Sequence, residues 1–189
     1  PKSFNNKYGV PLSLLNLKQN DKFGVFEIGM DKKGEIDQLS KIIQPDVGII
    51  TNINFAHAKN FKNLKGIAEA KGEIINNIKK NGTIILNADD KFFIFHKKLA
   101  ITNNLNIISF AIKNKHANIK FLKISKLNRK YKLFIKIKNK RTFFYISNDN
   151  KNYILNLLAL IALLNLYLNI LKLNKNLFLD LESPKGRGD

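Results

Sequence analysis

The 189-residue chain is 44% hydrophobic and has no cysteine. That length and composition allow one domain with a substantial core, or one domain plus a small appendage, and they exclude a disulfide framework, a thiolate zinc site and a cysteine nucleophile. The net charge of +19 raises a nucleic-acid reading. However, the excess is nearly all lysine, spread among asparagine and isoleucine as AT-rich coding would produce, whereas base readout and phosphate forks favour arginine. No specific nucleic-acid partner is therefore expected, and any DNA binding should be weak, salt-sensitive and indifferent to sequence.

The chain opens on Pro1-Lys2-Ser3, with no apolar targeting region. Residues 23–28, Phe-Gly-Val-Phe-Glu-Ile closed by Gly29, form a short apolar run, followed by a helical stretch from Glu35 to Ile43. A second run spans Asp46 to Ile53, a second helical stretch Leu64 to Ile78, a third run Thr83 to Leu86 after the Asn81-Gly82 turn signal, and a fourth Asn106 to Phe110. Runs this short and apolar on both faces predict strands of a buried parallel sheet. Alternation with helices predicts an α/β fold, a mainly parallel sheet flanked by helices.

The pattern changes after about Lys115. Runs at Ile119–Ile124, Tyr131–Ile137 and Thr142–Ile146 lie close together, and Tyr131, Leu133, Ile135 and Ile137 alternate with Lys132, Phe134, Lys136 and Lys138. This predicts a small antiparallel β meander at about 118–147, with mostly lysine on its wet face. The apolar stretch from Tyr153 to Leu173 is long enough to suggest a membrane span. It is interrupted by Asn156, Asn165 and Asn169, amides that would need partners in lipid, so the expectation is a buried helix and no membrane insertion. The whole is expected to be one domain over residues 1–183, with 184–189, Pro-Lys-Gly-Arg-Gly-Asp, opening a linker.

Three positions resist a purely structural account. Glu27 sits in an apolar run, where a carboxylate is costly unless paired or bound to metal, and at an expected strand end, where ligands of open α/β sheets gather. It could equally be a satisfied carboxylate turned into a loop. His57 follows the Val47–Ile50 run, and a neutral imidazole suits divalent metals, although a lone loop histidine is more often simply hydrogen-bonded. Lys71 lies mid-way along the apolar face marked by Leu64, Ile67, Ala68, Ile74, Ile75 and Ile78. Burial there would favour its neutral amine, which can take up carbon dioxide as an anionic carbamate; the alternative is a stem that snorkels to water.

Together, Glu-x-Gly at 27–29, Thr-Asn-Ile-x-x-Ala-His at 51–57 and Ala-Lys-Gly-Glu-Ile at 70–74 resemble the central domain of the Mur ligase family. Asn5-Asn6-Lys7-Tyr8-Gly9-Val10-Pro11 and Gly66 to Ile74 are similar to the D-alanyl-D-alanine-adding branch. The resemblance is weakest from Lys113 to Asp149. It implies an ATP-dependent ligase of peptidoglycan-precursor synthesis, cytoplasmic and expected to be a monomer, working through an acyl phosphate. Its substrates would be a UDP-N-acetylmuramoyl-tripeptide and D-alanyl-D-alanine.

It also implies site roles. Glu27, His57 and a carbamylated Lys71 would hold Mg²⁺ and act in catalysis, Asn52, Asn156 and Arg187 would contact ATP, and Asn5 and Asn6 would line the substrate cleft. Asn152 and Tyr153 stand where the family pattern before Asn156 has His and Asn. No Gly-x-x-Gly-Lys-Thr-like phosphate loop is present in the sequence, so the expectation is a fragment that lacks this loop and a C-terminal domain and is inactive alone. Other ligases of the superfamily, such as folylpolyglutamate synthase, and a basic nucleic-acid-binding module are the alternatives. The last predicts arginine and aromatic clusters on one face.

Overall fold

The computed structural model describes residues 4–55 and 60–181. The elements, in chain order, are α1 (Gly9–Leu15), α2 (Glu35–Ile43), β1 (Val47–Ile50), α3 (Leu64–Gly72) running into a 3₁₀ turn (Glu73–Asn77), β2 (Thr83–Asn87), α4 (Phe93–Thr102), β3 (Asn106–Ala111), β4 (Ile119–Leu127), β5 (Lys130–Ile137), β6 (Lys140–Ile146) and α5 (Lys151–Tyr167), with a further 3₁₀ turn at Ile170–Lys172. The strands form a mixed six-stranded sheet in the order β1-β2-β3-β4-β5-β6. The chain divides into two compact units, residues 1–84 with 94–106 and residues 85–93 with 107–189.

In the first unit, Thr83 N donates to Asp46 O and Asn106 N to Gly82 O. These bonds join strand starts to strand starts, as in parallel neighbours, and each crossover carries a helix. The Asn81-Gly82 signal marks a real constraint. Asn81 is left-handed at φ 62°, and a Cβ on Gly82 would stand 2.5 Å from Ile78 Cγ2 and 2.8 Å from two carbonyl oxygens. Only glycine allows that approach. Ile67, Ala68, Ala70, Ile75, Ile84 and Ile50 are buried here. Helix α3 starts where Asn63 Oδ1 accepts from Gly66 N at 2.9 Å, the ordinary N-cap bond.

In the second unit the meander follows the predicted alternation. β3 and β4 are parallel, whereas β4–β5 and β5–β6 are antiparallel. Leu133, Ile135 and Ile137 are buried and Lys132, Phe134 and Lys136 are not. A bulge between Phe121 and Lys123 resets the register. It puts Lys123 opposite Phe134 on the open face, while Ile124 opposes Leu133 on the covered one. Helix α5 packs on this unit with Ile154, Leu157, Leu158, Ile161 and Ala162 buried, and Phe144 meets Phe178 edge to face at 4.9 Å.

Two of the asparagines that interrupt the α5 stretch have plain explanations. Asn156 is exposed, and Asn169 caps the following 3₁₀ turn through Leu171 N. No helix among the described residues is long and apolar enough to cross a membrane.

The structure departs from the sequence reading in one strand and two helices. Residues 23–28 form no strand: the run is irregular, with Phe23 63% and Val25 87% exposed. An apolar run becomes a strand only where a neighbouring strand takes up its backbone groups. Here the backbone contact at the end of the run is with a loop residue, Asn5 O accepting from Gly29 N at 2.7 Å. Helices α1 and α4 are not anticipated by the sequence pattern. The proline of α1 lies in its first turn, where proline is tolerated. Helix α4 lacks a clean apolar stripe, with only His96 and Ala100 buried.

Candidate active site

Four candidate residues of the first unit fall into two hydrogen-bonded pairs. Lys71, half-buried near the end of α3, donates from Nζ to Asn52 O at 2.9 Å. Asn52 stands two residues beyond β1, at the carboxyl end of a strand, where α/β sheets place their ligands. The second pair is Asn5 Nδ2 donating to Glu27 Oε1 at 3.2 Å.

Gly29 makes the second pair possible. A Cβ there would lie 3.0 Å from Asn5 Cγ and Nδ2, so the Glu-x-Gly spacing lets residues 27–29 lie flat against Asn5. Glu27 is an exposed carboxylate outside any strand, which corrects the expectation of a charge at a buried strand end. Asn6 acts locally, its Oδ1 accepting from Tyr8 N and Gly9 N, both at 3.0 Å, at the start of α1. Asn156 lies exposed on α5, in the second unit. His57 and Arg187 lie outside the described residues. Among the described residues no group of three or more His, Cys, Asp or Glu side chains is poised to hold a metal.

Three further residues, Glu73, Asn77 and His96, support the Lys71 helix, and sequence reasoning gives none of them a role. Glu73, two residues on, accepts from Gly34 N at 2.8 Å through Oε1 and from Asp37 N at 3.0 Å through Oε2. One carboxylate thus caps the start of α2 from another element, taking up its unsatisfied N–H groups and positive dipole end. Asn77 Nδ2 adds bonds to Asp37 Oδ1 and Ser40 Oγ, both at 2.9 Å. On the other side, buried His96 places Nε2 2.8 Å from Ala68 O, and its ring lies where a Cβ on Gly72 would come within 3.2 Å. The Lys-Gly-Glu motif is the available signal for Glu73. For His96, the signal is a polar residue directly after the apolar run Phe92–Phe95.

The start of α2 also favours anions. Backbone N–H donation from Asp31 holds the Glu35 carboxyl below its usual range, helped by Lys32 against some burial. The Lys41 ammonium at 2.7 Å does the same for Asp37, with the Asn77 amide.

With this geometry in view, comparison with known proteins is decisive. The Mur ligase middle domain model matches residues 1–164. The chain belongs to the Mur ligase family. The UDP-N-acetylmuramoyl-tripeptide--D-alanyl-D-alanine ligase of Rickettsia prowazekii is 31% identical over 189 residues, covering 98% of this chain and 41% of that protein. The ligase of the same name from Buchnera aphidicola (strain APS) is 47% identical over 113 residues, 60% of this chain and 24% of that one. Among solved structures, MurF from Acinetobacter baumannii superposes with a TM-score of 0.81 at 29% identity, over 90% of this chain and 37% of that one. The chain therefore spans about two fifths of the length of such relatives. The fold class read from the sequence is the Mur ligase central domain.

Proposed function

We propose that the intact protein is an ATP-dependent carboxylate–amine ligase that joins D-alanyl-D-alanine to a UDP-N-acetylmuramoyl-tripeptide in the cytoplasm, by way of an acyl phosphate. The observation that carries this reading is the Lys71 Nζ to Asn52 O bond. It brings together two of the segments that match the family, at the carboxyl end of β1, where chemistry in an α/β sheet belongs.

Such a reaction brings a triphosphate and a carboxylate together, so it needs close positioning and charge neutralisation. The donor chemistry fits Mg²⁺, which takes oxygen ligands. In this reading Glu27 would offer a carboxylate, His57 an imidazole and Lys71, once carbamylated, carboxylate-like oxygens. Bound Mg²⁺ would neutralise phosphate charge and polarise the transferred phosphoryl group. The chain's own groups do the rest. As an ammonium, Lys71 can only donate, as it does to Asn52 O; as a carbamate it changes sign and becomes an acceptor. Asn5 holds Glu27 Oε1 in one orientation. Asn52 and Asn156 would contact ATP with Arg187, and Asn5 and Asn6 would face the peptide substrate.

The test is ligase activity of the intact enzyme carrying Lys71→Ala or Lys71→Arg, with and without added short carboxylates. Loss of most activity in both, with an unchanged thermal unfolding midpoint, is expected, and partial recovery of Lys71→Ala in acetate or formate would identify the missing carbamate. Near-normal turnover in both variants would reduce Lys71 to a snorkelling side chain and remove this reading of the site.

A further inference from the structure

None of the candidate site residues lies on the β4–β6 meander. Residues 118–147 contain eight lysines and two arginines but no aspartate or glutamate, although the chain has 14 acidic residues. Strand register sorts the side chains of the open face into rows. Lys123, Phe134 and Phe143 lie side by side across the three strands. One flanking row pairs Lys132 with Tyr145 and the other pairs Lys136 with Arg141.

The rings form a contiguous cluster, Phe134 tilted 48° to Phe143 at 5.9 Å and Phe143 edge-on to Tyr145 at 5.6 Å between centroids. Ammonium groups stand over them, Lys132 Nζ 3.9 Å from the Phe143 centroid and Lys130 Nζ 4.0 Å from Tyr145. A groove of about 520 Å³ runs along this face, lined by Leu122, Lys123, Phe134, Arg141, Thr142 and Phe143. Among the described residues none of these cations pairs with a carboxylate; the three ion pairs all lie in the first unit.

We propose that this face binds single-stranded nucleic acid without sequence preference. Aromatic rings on an open sheet flanked by cations make a stacking platform with a phosphate track, and every base has a face to stack. A duplex keeps its bases stacked inside and offers nothing to the rings. An anionic membrane would be met by a broad patch of protruding aliphatic side chains, and here only Leu122 and Leu127 on β4 have that character among the described residues of the meander. Charge alone does not require the rings to lie in the cationic row, and that placement separates this face from the lysines scattered elsewhere. Stacking supplies the affinity that scattered lysines lack, while the absence of base-edge readout keeps it indifferent to sequence.

The test uses the intact protein and a fluorescent twelve-residue oligothymidylate, followed by anisotropy from low to physiological salt. Phe134→Leu with Phe143→Leu keeps most of the apolar volume and removes the rings. It should weaken binding roughly tenfold while the protein stays folded, its unfolding midpoint lowered by only a few degrees. Lys132→Gln with Lys136→Gln should lower the slope of log affinity against log salt by about 0.7 per lysine. Neutralising Lys80, Lys97 and Lys98, exposed in the first unit, should leave affinity within about twofold and the slope unchanged. The proposal is overturned if that control variant loses as much as the face variants, if the leucine variants bind like the parent, if a duplex of equal length binds as tightly, or if phosphatidylglycerol vesicles are bound in place of the oligonucleotide.

Discussion

Removal of the Glu73 carboxylate tests whether it is what joins α3 to α2. In the folded chain it receives N–H donation from Gly34 and Asp37 at 2.8 and 3.0 Å. Hydrogen bonds to a charged group contribute about 1.5–3 kcal/mol when buried, and an N-cap about 1 kcal/mol. Glu73 is half-buried, so the lower end applies. Glu73→Ala removes both acceptors and the favourable charge at the dipole end, and should cost about 2–3 kcal/mol. Glu73→Gln keeps one acceptor but turns an amide N–H₂ toward the other N–H, and should cost about 1 kcal/mol. With a urea slope of about 2 kcal/mol/M, the alanine variant should unfold about 1–1.5 M earlier. Hydrogen exchange gives the local readout: the Gly34 and Asp37 amides should lose protection in Glu73→Ala while those of β2 keep it. Glu69 is the control, since its ion pair with Lys33 is 3.3 Å long and exposed, and Glu69→Gln should change stability by less than about 0.5 kcal/mol. A Glu73→Ala variant no less stable than Glu69→Gln, with both amides still protected, would refute the reasoning.

Other consequences follow from the same geometry. Gly29→Ala should push Asn5 aside, breaking the 2.7 Å backbone bond and the Asn5–Glu27 contact. The expected result is a raised KM for Mg²⁺-ATP in the intact ligase with about 1 kcal/mol or less lost in stability; an unchanged KM would contradict it. Glu35 and Asp37 have folded pKa values below their usual 4.5 and 3.8, so their contribution is complete above those values and is lost as pH falls through the lowered ones. Glu35→Gln with Asp37→Asn should therefore be less stable than the parent near pH 6. The gap should close toward pH 3, and a constant gap in urea midpoints across that range would show that the two carboxylates do not stabilise α2.

Most of the fold could be read from the residues because its signals are local. The meander announced itself through the alternation from Tyr131 to Ile137, since a half-exposed strand has to alternate. The start of β2 is marked by the Asn81-Gly82 turn. What escapes depends on partners. Residues 23–28 have the composition of a strand, but strand formation is a property of pairs, and composition says nothing about whether the neighbour is present. Helix α4 has almost no stripe, so periodicity could not find it. For the site, Lys71 stood out because a lysine on an apolar face is physically odd. Glu73 did not, because a glutamate near a helix end looks like an ordinary solvated charge until the segment it caps, 36 to 39 residues away, is brought beside it.

The end of α3 explains why these residues sit where they do. Residues two apart on a helix point about 200° apart, and the backbone tightens from α to 3₁₀ between Lys71 and Glu73. One side chain can then reach the exit of β1 at Asn52 while the other reaches the start of α2. His96 holds the same turn through Ala68 O, and the missing side chain of Gly72 makes room for the imidazole. The Ala-Lys-Gly-Glu-Ile motif is thus a junction in which each residue has a separate physical duty. Ala70 is fully buried, Lys71 reaches the candidate site, Gly72 admits His96, Glu73 anchors α2, and Ile74 continues the tightened turn. A chemical duty for Lys71 alone would constrain one position only. The joint geometry accounts for the small and acidic neighbours as well, because Gly72 has to clear the His96 ring and Glu73 has to reach the α2 amides.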